Sequence, residues 1–361
     1  MHASGLAPRW ASAPGETITS AMRERSLGDD ELASQLGLDP GTVRDLLAGE
    51  LPITVSLARN LAATIGGSTE FWLAREAQYA DDLARVRADK WSEAFPIQSM
   101  AQQGWISRPK DWHERIDACL AFFDVADPDD WEEKYGNQVE NAHFRTSPTY
   151  SLGAAATAAW FRAADRIADP TPLRQAFDKA SFTRALSEVR ELTRVKDPDK
   201  FLPELRERCA RAGVYVVVVA APDGCPASGA ARTFHGRPLI QLSARHLTDD
   251  HLWFSFFHEA GHVLLHGLDD PFVDVLDADS QDDREREANE FAAEWLFPNT
   301  SLKRGHLGRR DIIRSAVVNG VAPGIIVGQL QHRGLIPRGH FNGLKRRYQW
   351  NGPNLGMVRS D

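Results

Sequence analysis

The chain has 361 residues, 42% of them hydrophobic and 25% charged; this exceeds one ordinary compact domain and excludes a disordered or fibrous protein. Its net charge of -8 is spread along the sequence, so nothing global calls for nucleic acid or an anionic membrane. The longest apolar run, "VYVVVVAA" at 214 to 221, is too short to span a bilayer, and "MHASGLAPRW" lacks the parts of a signal peptide. A cytoplasmic protein without a membrane partner is expected. Cys119, Cys209 and Cys225 are odd in number, far apart and in no CxxC pair, which fits a reducing compartment and a role as small buried hydrophobes.

Residues 14 to 90 read as short helices. "DDELASQLGL" places acidic residues in a first turn and Leu32, Leu36 and Leu38 on or near one face. "DPGTVRDLLAGE" offers Asp39 as N-cap, Pro40 at the first helical position and Gly49 as a stop. Two helices joined near Gly37 are the minimum of a helix-turn-helix, although any small helical bundle contains such a pair. The run from "PGETITSAM" through "LASQLG" and "ITVSLARNLA" to "FWL" resembles the xenobiotic-response-element type of helix-turn-helix, particularly its antitoxin subgroup. That resemblance implies operator DNA as a partner and a homodimer, with Thr42 and Arg44 as DNA contacts. The charge speaks the other way: residues 1 to 75 hold six Arg and no Lys against nine acidic residues, a net of -3, while phosphate contacts need cations. Docking of a protein stays open.

From 91 to 195 the pattern is again helical, with tryptophans at 91, 105, 112, 131 and 160 at spacings more typical of a core than of a ligand platform. A scaffold or a sensing region fits equally. The stretch at 135 to 151 reads as a polar, turn-rich, exposed loop.

The segment 196 to 300 carries the chemistry. "GVYVVVVAAP" reads as a buried strand, and "SGAARTF" and "PLIQLSA" flank "HGR" as a hairpin. "LTDDHLWFSFFHEAGHVLLHG" then reads as a helix capped by Thr248 or Asp249, stopped by Gly267 and apolar nearly all round, hence buried. Within it His258 and His262 lie one turn apart on one face, with Glu259 beside them. A carboxylate in such a helix is costly unless compensated. Two imidazoles at i and i+4 reach one Zn²⁺, and the glutamate then serves as general base.

A catalytic zinc needs a third protein ligand. In "DDREREANEFAAEWLFP" Glu285, Ala288, Asn289 and Ala292 share a stripe small enough to pack closely on another helix. By spacing alone, Glu285 as ligand and Glu285 as a solvated acidic helix start are comparable. Glu287 stands about 200° around the helix and is expected on the water side.

"WFSFFHEAGHVLLH" followed by "EREANEFAAEWLFP", together with "SGAAR", "PLIQLS" and "APGIIVGQLQHRGLIPRGHFNGLKRRYQW", resembles the ImmA/IrrE family of zinc metallopeptidases over most of residues 200 to 350. The resemblance implies His258, His262 and Glu285 as zinc ligands, Glu259 as general base, and a helix-turn-helix repressor as protein substrate. A peptide is expected to lie extended along the edge of "PLIQLS". Arg232, His246 and His332 are candidate oxyanion donors; His266, beside the helix stop, is excluded as a ligand.

The expected fold is α+β and mostly helical. It comprises a helix-turn-helix domain (14–90), a helical scaffold (91–195), a zincin-like core with a small sheet and the HExxH helix (196–300), and a helical C-terminal part (301–361). The expected function is a regulatory zinc endopeptidase. The alternative is a DNA-binding regulator or antitoxin whose metalloprotease-like part is latent or sensory.

Overall fold

The computed structural model describes residues 9–136, 152–267, 272–274, 283–298 and 307–358. The exposed loop expected at 135 to 151 lies, from residue 137 on, outside the described residues. Two compact units divide the chain, Met1–Ser92 and Glu93–Asp361. The segments 91–195, 196–300 and 301–361 thus fall almost wholly in the second.

The first unit contains α1 (Pro14–Glu24), α2 (Asp29–Leu36), α3 (Pro40–Ala48), α4 (Val55–Ile65) and most of α5 (Thr69–Glu93). At the starts of α2 and α3, side chains satisfy backbone N–H groups. Glu31 Oε2 accepts from Gly28 N at 3.0 Å, and Asp39 Oδ1 accepts from Gly41 N at 2.9 Å and Thr42 N at 3.1 Å. The Thr42 hydroxyl also bonds Asp39; this bond first, then the backbone N–H of Thr42, holds the Asp39 carboxyl below its usual range. Ile18, Leu32, Val43, Leu46, Leu61 and Trp72 close a core in which each buried aliphatic contributes about 1.5–3 kcal/mol.

The second unit opens with α6 (Ile97–Gln102), α7 (Trp112–Phe123) and α8 (Pro128–Trp131), the last continuing into a π-turn over Glu132–Gly136. Trp131, Phe95, Phe123 and Tyr135 pack their rings together here; of the five tryptophans expected in a core, Trp131 and Trp160 are buried, while Trp91, Trp105 and Trp112 are half-buried. Next come α9 (Leu152–Ala168), α10 (Lys179–Leu192) and α11 (Pro198–Ala210), followed by β1 (Tyr215–Val218), β2 (Gly229–Phe234) and β3 (Arg237–Leu242). Phe234 pairs with Arg237 across a two-residue turn in which His235 and Gly236 have φ of 47° and 68°, the positive φ pair that matches the twist of a hairpin. The expected hairpin around "HGR" is therefore present.

The sheet runs β1-β3-β2-β4, with β4 spanning Phe272–Asp274. β1 is parallel to β3, while β2 is antiparallel to both β3 and β4. This corrects one expectation: β3, the "PLIQLS" strand, is paired on both sides, so no peptide can add along its edge. Trp160 Nε1 donates to Val219 O at 2.9 Å and Gln241 Nε2 to Trp160 O at 2.7 Å, which stitches α9 to the sheet.

Across the sheet lies α12 (Asp249–Leu265), packed against α13 (Asp283–Leu296), with α14 (Arg309–Asn319), α15 (Pro323–His332) and the hairpin of β5 (Tyr348–Asn351) and β6 (Asn354–Met357) completing the unit. Trp253, Phe256 and Phe257 are fully buried, as the all-round apolar pattern of α12 requires. The start of α12 is held by the C-terminal stretch: Asp249 Oδ1 accepts from Arg346 N at 3.0 Å, and Lys345 Nζ meets Asp250 Oδ2 at 2.6 Å. The three cysteines are free and buried, and burial pushes the Cys119 thiol up to about 12. Among the described residues no single helix is long and apolar enough to cross a membrane.

Candidate metal centre and active site

The helical period places His258 and His262 on one face of α12, and burial fixes both rings at 1% and 0% exposure. Their Nε2 atoms face each other at 3.0 Å. Glu285, in the first turn of α13, brings its carboxylate to the same point: Oε2 lies 3.2 Å from His258 Nε2 and Oε1 3.5 Å from His262 Nε2. Ligands held about 2.0–2.2 Å from one tetrahedral zinc stand about 3.3–3.5 Å apart. Two imidazoles and a carboxylate in this arrangement fit one zinc ion, and they form a metal-capable group of His258, His262 and Glu285.

The electrostatics agree with that donor set. Burial would raise the Glu285 carboxyl, but its hydrogen bonds to the two histidines outweigh burial and hold it well below the usual range. Burial pushes His262 below its ordinary value, against the pull of Glu285, which favours the neutral, ligating imidazole.

The close approach of α13 to α12 has a local cause. A Cβ at Gly261 would stand 3.2 Å from the Ala288 backbone and 3.2 Å from the Phe291 ring. Glycine in "HEAGH" and alanines at 288 and 292, both fully buried, let the helices approach until Glu285 reaches the histidines.

Glu259 projects elsewhere. It is fully buried against β2, where a Cβ on Gly229 would lie 2.3 Å from Glu259 Oε1 and 2.9 Å from its Cδ. No local pattern in "SGAAR" marks this glycine as a floor for the carboxylate; the contact is tertiary. Replacing Gly229 by Ala should displace a side chain that has no solvent to move into. A displacement on the ångström scale costs about 10²-fold in rate, so Gly229→Ala is expected to lose that much activity while keeping its metal, measured as turnover against metal content.

Two further residues that the sequence reading left outside the site touch these two histidines. Asn289 Oδ1 lies 3.1 Å from His258 Nδ1, and His266 Nδ1 lies 3.0 Å from His262 Nδ1. Glu287 does not simply turn to water: its Oε2 meets His266 Nε2 at 3.0 Å with half its side chain exposed. Of the candidate oxyanion donors, Arg232 is bound by Asp165 and the Phe161 carbonyl, which removes it from this role. His246 stacks on His251 at 4.2 Å and lines a cavity with Ser228 and Ser255. His332 is exposed, its ring 6.1 Å from that of Phe254, which lies 6.3 Å from the His258 ring.

In the first unit Arg44 is exposed on α3, its Nε donating to Pro40 O at 3.3 Å, and the Thr42 hydroxyl is engaged by Asp39. The exposed surface of α3 also carries Asp45.

Fold and site define a metallopeptidase-type domain, in which a buried HExxH helix is completed by a carboxylate from the next helix. The family profile of the IrrE N-terminal-like domain, peptidase M78, matches residues 209–328. A curated relative is the uncharacterized HTH-type transcriptional regulator YddM of Escherichia coli (strain K12), 30% identical over 81 residues, an alignment covering 20% of this chain and 86% of the relative. The chain belongs to the ImmA/IrrE family, in the form that carries a helix-turn-helix module.

Proposed function

We propose that the protein is a regulatory zinc endopeptidase that cleaves a helix-turn-helix repressor or similar partner, and that its N-terminal unit recognises that partner, operator DNA or both. The observation that carries this reading is the convergence of His258, His262 and Glu285 within 4.8 Å of one another, beside a buried Glu259 that is not one of them. Zinc held there supplies a Lewis acid that activates water and polarises a peptide carbonyl. Glu259 removes the proton of the attacking water and returns it to the leaving amine. Its burial between α12 and β2 keeps the carboxylate from swinging away from that task.

The test is incubation of the full chain with purified helix-turn-helix repressors from the same genome, after chelation and after zinc is restored. Cleavage that disappears with chelator and returns with zinc is expected; cleavage indifferent to chelator contradicts the reading.

A second reading, a transcriptional regulator with a latent peptidase-like part, has support in the near-complete burial of His258, Glu259 and His262 and in the likeness to an HTH-type transcriptional regulator. It requires DNA binding that falls steeply with salt and weakens in Arg44→Ala. Gel-shift titrations on the protein's own promoter at two salt concentrations measure both. The acidic surface around α3 favours a protein partner, for which removal of the first 90 residues abolishes recognition and leaves metal content unchanged.

A further inference from the structure

The second helix of the site supplies more than a ligand. Once zinc is bound, the Nε2 lone pair of His262 is its ligand in place of a hydrogen bond to Glu285, so the one proton of the neutral ring sits on Nδ1. That N–H points at His266 Nδ1, 3.0 Å away. His266, accepting there, carries its own proton on Nε2 and donates it to Glu287 Oε2 at 3.0 Å. His258 is treated differently, its Nδ1–H meeting the neutral amide oxygen of Asn289 at 3.1 Å. Glu285, Glu287 and Asn289, three alternate residues of α13, thus serve the metal point, the relay and the other ring.

We propose that His266 and Glu287 are positioning residues, a histidine–carboxylate relay that fixes the tautomer and orientation of His262 and raises the site's affinity for zinc. The proposal rests on the metal-site reading above. Its physical basis is that a ligand imidazole with its second N–H committed to an acceptor cannot rotate, and the carboxylate at the far end of the chain makes the ligand nitrogen a better donor. His266 is well placed to transmit this, with only 5% of its side chain exposed, while Glu287 closes the relay at the surface with 52% exposed. The helical period explains the row: His258 and His262 on α12 and His266 at its C-cap follow at i, i+4 and i+8.

The experiment is competition for zinc between the full chain, purified metal-free, and a chromophoric chelator, for wild type, His266→Phe, His266→Asn, Glu287→Leu and Glu287→Gln. Phe removes the acceptor and should weaken zinc binding about 10–100-fold, whereas Asn, whose Oδ1 takes the place of Nδ1, should stay within about 3-fold of wild type. Glu287→Leu should show a smaller loss in the same direction, and Glu287→Gln, still an acceptor, should retain most of the affinity. Melting of the metal-free forms separates a damaged fold from a lost orientation; if His266→Phe fails to fold, the pair at Glu287 decides. Wild-type affinity in His266→Phe, or an equal loss in His266→Asn, overturns the relay while leaving the metal site standing. Wild-type protein that takes up no zinc overturns the metal-site reading and the relay with it.

Discussion

Glu259→Gln should bind zinc as the native protein does and lose hydrolysis by about 10²–10⁴-fold, the usual worth of a general base. Three features make the effect clean. The side chain is fully buried, and the amide is close to isosteric, so the pocket above Gly229 is still filled. The residue also stands apart from the three ligand atoms, so its charge is not needed to hold the ion. What the amide cannot do is take a proton. The check is the cleavage rate of the repressor, with zinc content measured on the same preparation; undiminished cleavage by the variant would remove Glu259 from the mechanism.

Glu285→Gln should show the complementary behaviour, with zinc affinity and activity falling together. The native carboxylate lies 3.2 and 3.5 Å from the two ring nitrogens and is held ionised by them against the effect of burial. A neutral amide is a poor ligand beside two neutral imidazoles. The loss of affinity should exceed the roughly 10–100-fold that partners outside the ligand set are worth. Zinc stabilises the fold in proportion to the logarithm of its concentration over Kd, so the rise in melting temperature on adding zinc should also shrink. In Glu287→Gln that rise should persist, because Gln still accepts from His266.

Much of this was legible in the sequence because it depends on local periodicity. Asp39, Pro40 and Gly49 frame α3 as short-range capping chemistry requires, and the HExxH helix starts after Thr248, whose side chain makes no capping bond, and stops before Gly267, whose φ is 74°. The stripe of Glu285, Ala288, Asn289 and Ala292 marks a close helix contact, since small residues at i+3 and i+7 have few other uses on a packed face. Asn289 on that stripe reads as packing, and only the tertiary contact gives it His258 as a partner. His266 shows the limit differently: its place beside the helix stop argues against ligation, yet it sits where His262 needs an acceptor. Rotation of about 200° keeps Glu287 from the metal, but a long side chain at the flank of α13 still reaches one turn further along α12. Gly229 beneath Glu259, and β3 as an inner strand, depend on pairings between segments that no local pattern encodes.

Zinc content per chain, measured on metal-replete wild type, Glu259→Gln and Glu285→Gln prepared in parallel, addresses the account most directly. One zinc in the first two and well below one in the third is the expected result. Wild type that holds no zinc, or Glu285→Gln that holds as much as wild type, would contradict the assignment of His258, His262 and Glu285 as the metal centre.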